Sequence, residues 1–198
     1  MTATKKTNMS TKTMVLGAVL TALVFILQII AVTMRGAGLF TISLVLVPIV
    51  IGSATCGKGI GAWLGFVFGI AVLVSGDAGP FLNVNVLGTV LTVLLKGTLC
   101  GFVAGLIYDW LKKYNRYIAV VAAAIVCPVV NTGVFLLGCL AFFMPTLAEW
   151  ANGLGFGSNV AQYMIFGLVG VNFLFELLTN IILSPIIVRL LNIRKKQL

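Results

Sequence analysis

Residues 14–34, MVLGAVLTALVFILQIIAVTM, run without one charged side chain. A helix of about 20 apolar residues crosses roughly 30 Å of hydrocarbon, so this stretch is long enough to span a bilayer. In lipid its backbone polar groups are satisfied only inside a helix or a closed barrel. Further apolar stretches follow along the chain, and none shows the ten-residue alternation of a membrane barrel. Helices are what remains. Charged residues make up 9% of the 198 positions, against roughly 25% in soluble domains. The fold class expected is therefore an all-α integral membrane protein, with a single transmembrane domain over residues 1–198.

Apolar runs and turn residues divide the chain into six spans, at about 14–34, 41–54, 60–75, 87–111, 117–144 and 162–191. The second is short and contains Pro48. The fifth contains Pro128, where a kink is expected and neighbouring groups must satisfy the freed backbone. Two polar connections, GDAGPFLNVN (76–85) and PTLAEWANGLGFGSN (145–159), read as long outer loops. The basic start has no small-residue cleavage site after its apolar run, so the first span is expected to remain as an uncleaved helix.

Charge orients the bundle. With six spans, Lys5, Lys6, Lys12, Lys58, Lys112, Lys113, Arg116, Arg189, Arg194, Lys195 and Lys196 all fall on one side, and Arg35, Asp77 and Glu149 on the other. Both termini are then expected in the cytoplasm, and an odd number of spans would destroy the partition. The net charge of +9 follows from this bias and does not call for nucleic acid.

Three further features bear on chemistry. Cys56, Cys100, Cys127 and Cys139 are scattered and the chain has no histidine, so no zinc site is expected; the cysteines read as small packing residues. GSATCGKG (52–59) has the Gly-four-Gly-Lys spacing of a phosphate-binding loop, but Gly59 stands where a magnesium-ligating Ser or Thr belongs, and no strand precedes it. Gly61, Gly65 and Gly69, and again Gly97, Gly101 and Gly105, recur every fourth residue, which stacks each set on one helix face and permits close backbone approach.

The polar residues inside apolar spans are the candidates for a site. Asn172, Glu176, Asn180 and Ser184 form a stripe on the sixth span, Asn131 and Thr132 follow Pro128 on the fifth, and Lys96 lies within LTVLLKGTLCG on the fourth. A charge at bilayer depth costs about 2.5–3.5 kcal/mol on insertion scales, and such groups face a bundle interior or a wet cavity. Lys96, Asn131, Asn172 and Glu176 are therefore expected to line an outward-facing cavity for a polar solute, with Asn83, Asn85 and Trp150 of the outer loops as further binding residues. A Lys96–Glu176 ion pair that only fixes packing is the alternative. No histidine and no second intramembrane carboxylate accompany Glu176, so no enzyme, cofactor or metal is expected.

A chain of this size, with six spans, a basic cytoplasmic side and Ala18 and Ala22 one turn apart in the first span, resembles the substrate-binding subunit (S component) of energy-coupling factor (ECF) transporters. GAWLGFVFG followed by a polar outer loop, and ELLTNIILSPIIVRLL near the end, resemble that family too. The resemblance implies capture of a small water-soluble vitamin or related micronutrient at a prokaryotic plasma membrane. It also implies ATP-driven uptake with a shared transmembrane subunit, met by Ala18 and Ala22, and two ATPase subunits. A cation beneath an outward cavity suits a solute bearing a carboxylate, as pantothenate, biotin, folate and nicotinate do and riboflavin does not. A stand-alone proton-coupled carrier, with Glu176 as its proton site, is the rival.

Overall fold

The computed structural model describes residues 11–36 and 44–196, with side chains described over 11–34 and 44–189. Among them the regular structure is helical. Helix α1 is Thr11–Gly36, α2 Leu46–Cys56, α3 Lys58–Val74, α4 Gly79–Leu82, α5 Val86–Leu111, α6 Arg116–Phe142, α7 Met144–Gly153 and α8 Val160–Gln162. A π-helical segment, Tyr163–Gly170, then leads into α9, Val171–Lys196.

Four stretches have the length and apolarity to cross a membrane: Thr11–Met34, Val86–Leu111, Arg116–Phe142 and Val160–Arg189. The apolar helices α2 and α3 are shorter; α2, with 11 residues, reaches only about 16 Å at 1.5 Å per residue. Of the span expected at 41–54, residues 41–43 lie outside the described residues. Pro48 falls in the first turn of α2, where no intrahelical acceptor is lost, so the bend expected there is not required.

The connections 76–85 and 145–159 differ most from expectation. The segment 145–159 is not a plain loop, because α7 takes up residues 145–153 of it. Pro145 sits in the opening turn, where its fixed φ favours a helix start, and Leu147 and Ala151, four residues apart, are buried. Gly155 and Gly157 then turn the chain at φ +83° and +58°, a region open mainly to glycine. The connection 76–85 likewise holds the short α4, and Asn85 caps α5 by accepting from Gly88 N at 2.9 Å.

The tightest seam joins α3 to α5. The helices run antiparallel, and a Cβ added at Gly65 would fall on the Gly97 carbonyl, one at Gly101 on the Gly61 carbonyl. The two glycine ridges are therefore each other's partners. Beside the seam, buried Ser53 of α2 donates to Gly101 O of α5 at 2.9 Å. Around it, α1, α2, α3, α5 and α6 share one apolar core, including Val24, Leu46, Leu64, Cys100 and Ala123. A second cluster gathers Phe143, Leu147, Ala151, Tyr163 and Met164 with Phe81 and Trp150, at the end of the bundle where α4, α7 and α8 meet. Outward-facing Val15, Val19, Leu95, Leu137 and Ile182 leave a broad apolar surface of the kind that lipid covers.

Proline inside α9 shows how such a helix repairs itself. Pro185 has no N–H for the Ile181 carbonyl four residues earlier, and the Ser184 hydroxyl donates to that oxygen at 2.7 Å.

Candidate functional site

A cavity of about 320 Å³ lies between the two apolar clusters, walled by α1, α3, α5, α6, the π segment and α9. Its depth follows from the helices. Thr89, Thr92 and Lys96 lie on one face of α5, spaced by three and four residues. Lys96 stands ten residues below the start of α5, about 15 Å along the axis and so near the middle of a bilayer-length helix. Asn131 lies eleven residues before the end of α6, at closely similar depth. Gln28, Asp77, Phe81 and Phe143 wall the cavity toward the α4–α7 end.

Lys96, Asn131, Asn172 and Glu176 all border this one space. Among the described residues no hydrogen bond, and no ion pair within 4.0 Å, reaches the Lys96 ammonium. Aromatic faces approach it instead, with Nζ 5.0 Å from the Phe135 ring centre and 5.8 Å from that of Phe68. Such contacts hold a cation without neutralising it. Asn172 Nδ2 donates to Glu176 Oε1 at 3.4 Å, and Asn180 Nδ2 to the Glu176 carbonyl at 2.8 Å. The polar stripe of α9 is thus divided. Asn172 and Glu176 border the cavity, whereas Asn180 and Ser184 are buried in helix packing.

The outer-loop candidates lie elsewhere. Asn85 is the cap of α5, and Asn83 is exposed at the end of α4. Trp150 borders a separate, open groove with Pro80, Glu149, Gly153, Leu154 and Tyr163. Phe81 and Leu168 border both groove and cavity. Phe81 meets Phe135, Phe143 and Trp150 edge-on, at ring-centre distances of 5.5, 5.0 and 5.4 Å, and so links Trp150 to the cavity wall.

Sequence reasoning did not reach Gln28, Phe68, Phe81 or Phe135. Gln28 is 3% exposed and donates to Asp77 Oδ2 at 3.0 Å, tying α1 to the segment before α4. A signal existed, since Gln28 is the one amide in the apolar run of the first span. No signal marked the phenylalanines, because an apolar residue in a membrane helix has the same pattern whether it meets lipid or a cavity.

The chain also matches a known family. Residues 12–190 fit the family described as "ECF transporter, substrate-specific component". The chain belongs to that family. It is accordingly a substrate-specific transporter subunit of the membrane, of a kind that is not an enzyme and works on a small molecule with energy-coupling partners. No curated protein and no solved structure matches the chain. In this S component the segment 52–59 does not form a phosphate cradle. Residues 52–56 are helical, their amides lie within α2, and Gly57 alone makes the turn into α3.

Proposed function

We propose that this S component captures a small water-soluble vitamin or related micronutrient from outside the cell and delivers it for ATP-driven uptake by a shared transmembrane subunit and two ATPase subunits. The membrane would be the prokaryotic plasma membrane, crossed six times with both termini in the cytoplasm. The observation that carries this reading is the cavity itself. A cation and two carboxylates border one cavity among helices that include α1, α5 and α6, each long enough to span a bilayer, and intramembrane ionisable groups in such a setting mark solute pathways. The volume lies at the small end of the roughly 300–1,000 Å³ typical of ligand pockets, which favours a monomeric solute over a dinucleotide.

Ala18 and Ala22 supply the contact with the coupling subunit on this reading. Both are exposed on α1, beside Val15, Val19 and Ile26, and small residues there permit close helix approach. Ala18→Trp with Ala22→Trp should abolish uptake in cells while the purified subunit still binds its solute. Native mass spectrometry of the purified chain should show one retained small molecule and no stoichiometric ATP. Undiminished uptake by the double variant would remove the coupling role of this face.

A further inference from the structure

The cavity's charges are unequally engaged, and the inequality describes the solute. Lys96 is the one cation among the residues bordering the space; the Phe68 and Phe135 rings approach its Nζ, and the charges of Glu176 and Asp77 act on it from across the space without an ion pair within 4.0 Å. The two carboxylates are each engaged. Asp77 accepts from Gln28, and Glu176 accepts from Asn172, with further interactions at both. Two neutral groups on the wall remain without a hydrogen-bond partner among the described residues: Thr92 Oγ1 and Asn131 Oδ1, on residues 4% and 6% exposed. A buried acceptor left unpaired carries a full desolvation penalty, so an occupant able to donate to it gains more than one that cannot. Aromatic rings of Phe68, Phe81, Phe135 and Phe143 supply apolar faces around the same space.

Resting on the reading of this cavity as the solute site, we propose that the solute is a monoanion with neutral hydroxyl or amide donors: its single carboxylate meets Lys96, its N–H or O–H groups complete Thr92 and Asn131, and its apolar body lies against the phenylalanine rings. One cation, without an ion pair at contact distance, can meet one added negative charge. A second would be left unpaired and repelled by Asp77 and Glu176, which selects against dicarboxylates and phosphate esters. An anion without donors leaves Thr92 and Asn131 unsatisfied. The inference therefore disfavours folate, with its two carboxylates, as well as neutral solutes.

The test is calorimetric binding by the purified full chain in detergent, with matched probes. These are pantothenate against panthenol and biotin against biotinamide, with 4′-phosphopantothenate as the over-charged anion and hexanoate as the donor-free one. At least one acid should bind, and its neutral partner at least tenfold more weakly, the scale of a lost charge-assisted hydrogen bond. Hexanoate and the phosphate ester should bind at least tenfold more weakly than that acid. In Lys96→Met the gap between acid and neutral partner should shrink below threefold, and Asn131→Leu should weaken the acid without changing hexanoate. If either variant fails to fold, the wild-type comparisons decide alone. A neutral partner or phosphate ester binding as tightly as its acid overturns the inference, and so does a folded chain that answers to none of these probes. Neither result touches the importer reading, which is tested separately by solute uptake in cells and by the small molecule retained in native mass spectrometry.

Discussion

The two faces of α5 do opposite work. One face, Gly97, Gly101 and Gly105, closes against α3 so tightly that a single methyl group at Gly97 or Gly101 would collide with backbone. The other, Thr89, Thr92 and Lys96, borders an open space with polar groups unpaired. Without a hydrophobic drive between helices in lipid, association depends on close packing and hydrogen bonding. The glycine seam concentrates that packing on one side of the helix. The other side meets α6, where Thr92 packs against Gly138, and also borders the cavity. The comparison teaches that the closest backbone packing and the candidate site lie on different faces of one helix.

Breaking the seam should have the largest effect. Gly65→Leu or Gly97→Leu should prevent the folded state, seen as loss of a monodisperse peak in detergent chromatography. Gly65→Ala, the smaller insult, should cost about 1–3 kcal/mol by overpacking against a backbone that cannot yield. Gly133→Ala is the control on α6. Nothing lies within 4 Å of its added Cβ, and in thermal unfolding it should be neutral or stabilising, by up to about 1 kcal/mol from helix propensity.

On the open side, Phe81→Ala should lower stability by about 2–4 kcal/mol, since Phe81 joins three other rings where α4, α6 and α7 converge. It should also weaken solute binding, because Phe81 borders both the cavity and the groove at Trp150. Equal affinity in a folded Phe81→Ala protein would show that the wall at Phe81 is not part of the site. Lys96→Met should sharpen the contrast. With no ion pair at contact distance to break, it should leave the melting temperature within a few degrees of wild type while weakening acid binding by about 1.5–3 kcal/mol. A collapse in stability would instead reveal the lysine as a structural charge.

The smallest effect separates capping from recognition. Asn85→Ala should cost about 1 kcal/mol through loss of the cap on α5 and leave solute affinity unchanged. A drop in affinity without a drop in stability would place Asn85 in the binding path.

What the sequence by itself determined was local and periodic. Long uncharged runs demand helices in lipid, glycines every fourth residue demand a close helix neighbour, and Lys96, Asn131, Asn172 and Glu176 demand some shelter from hydrocarbon. These demands arise from single helices, so they are written in nearest-neighbour order along the chain. Which helix answers each demand is written nowhere in that order. Only the tertiary structure decided that the two glycine ridges face each other, that Gln28 reaches Asp77 across 49 residues of sequence, and that the Phe68 and Phe135 rings approach Lys96. The same holds for α7, whose short amphipathic turns fold because Phe81, Phe143 and Tyr163 are there to cover Leu147 and Ala151. The physical reason is common to all of them. A partner's identity depends on three-dimensional proximity, which packing of the whole bundle creates and no one helix encodes.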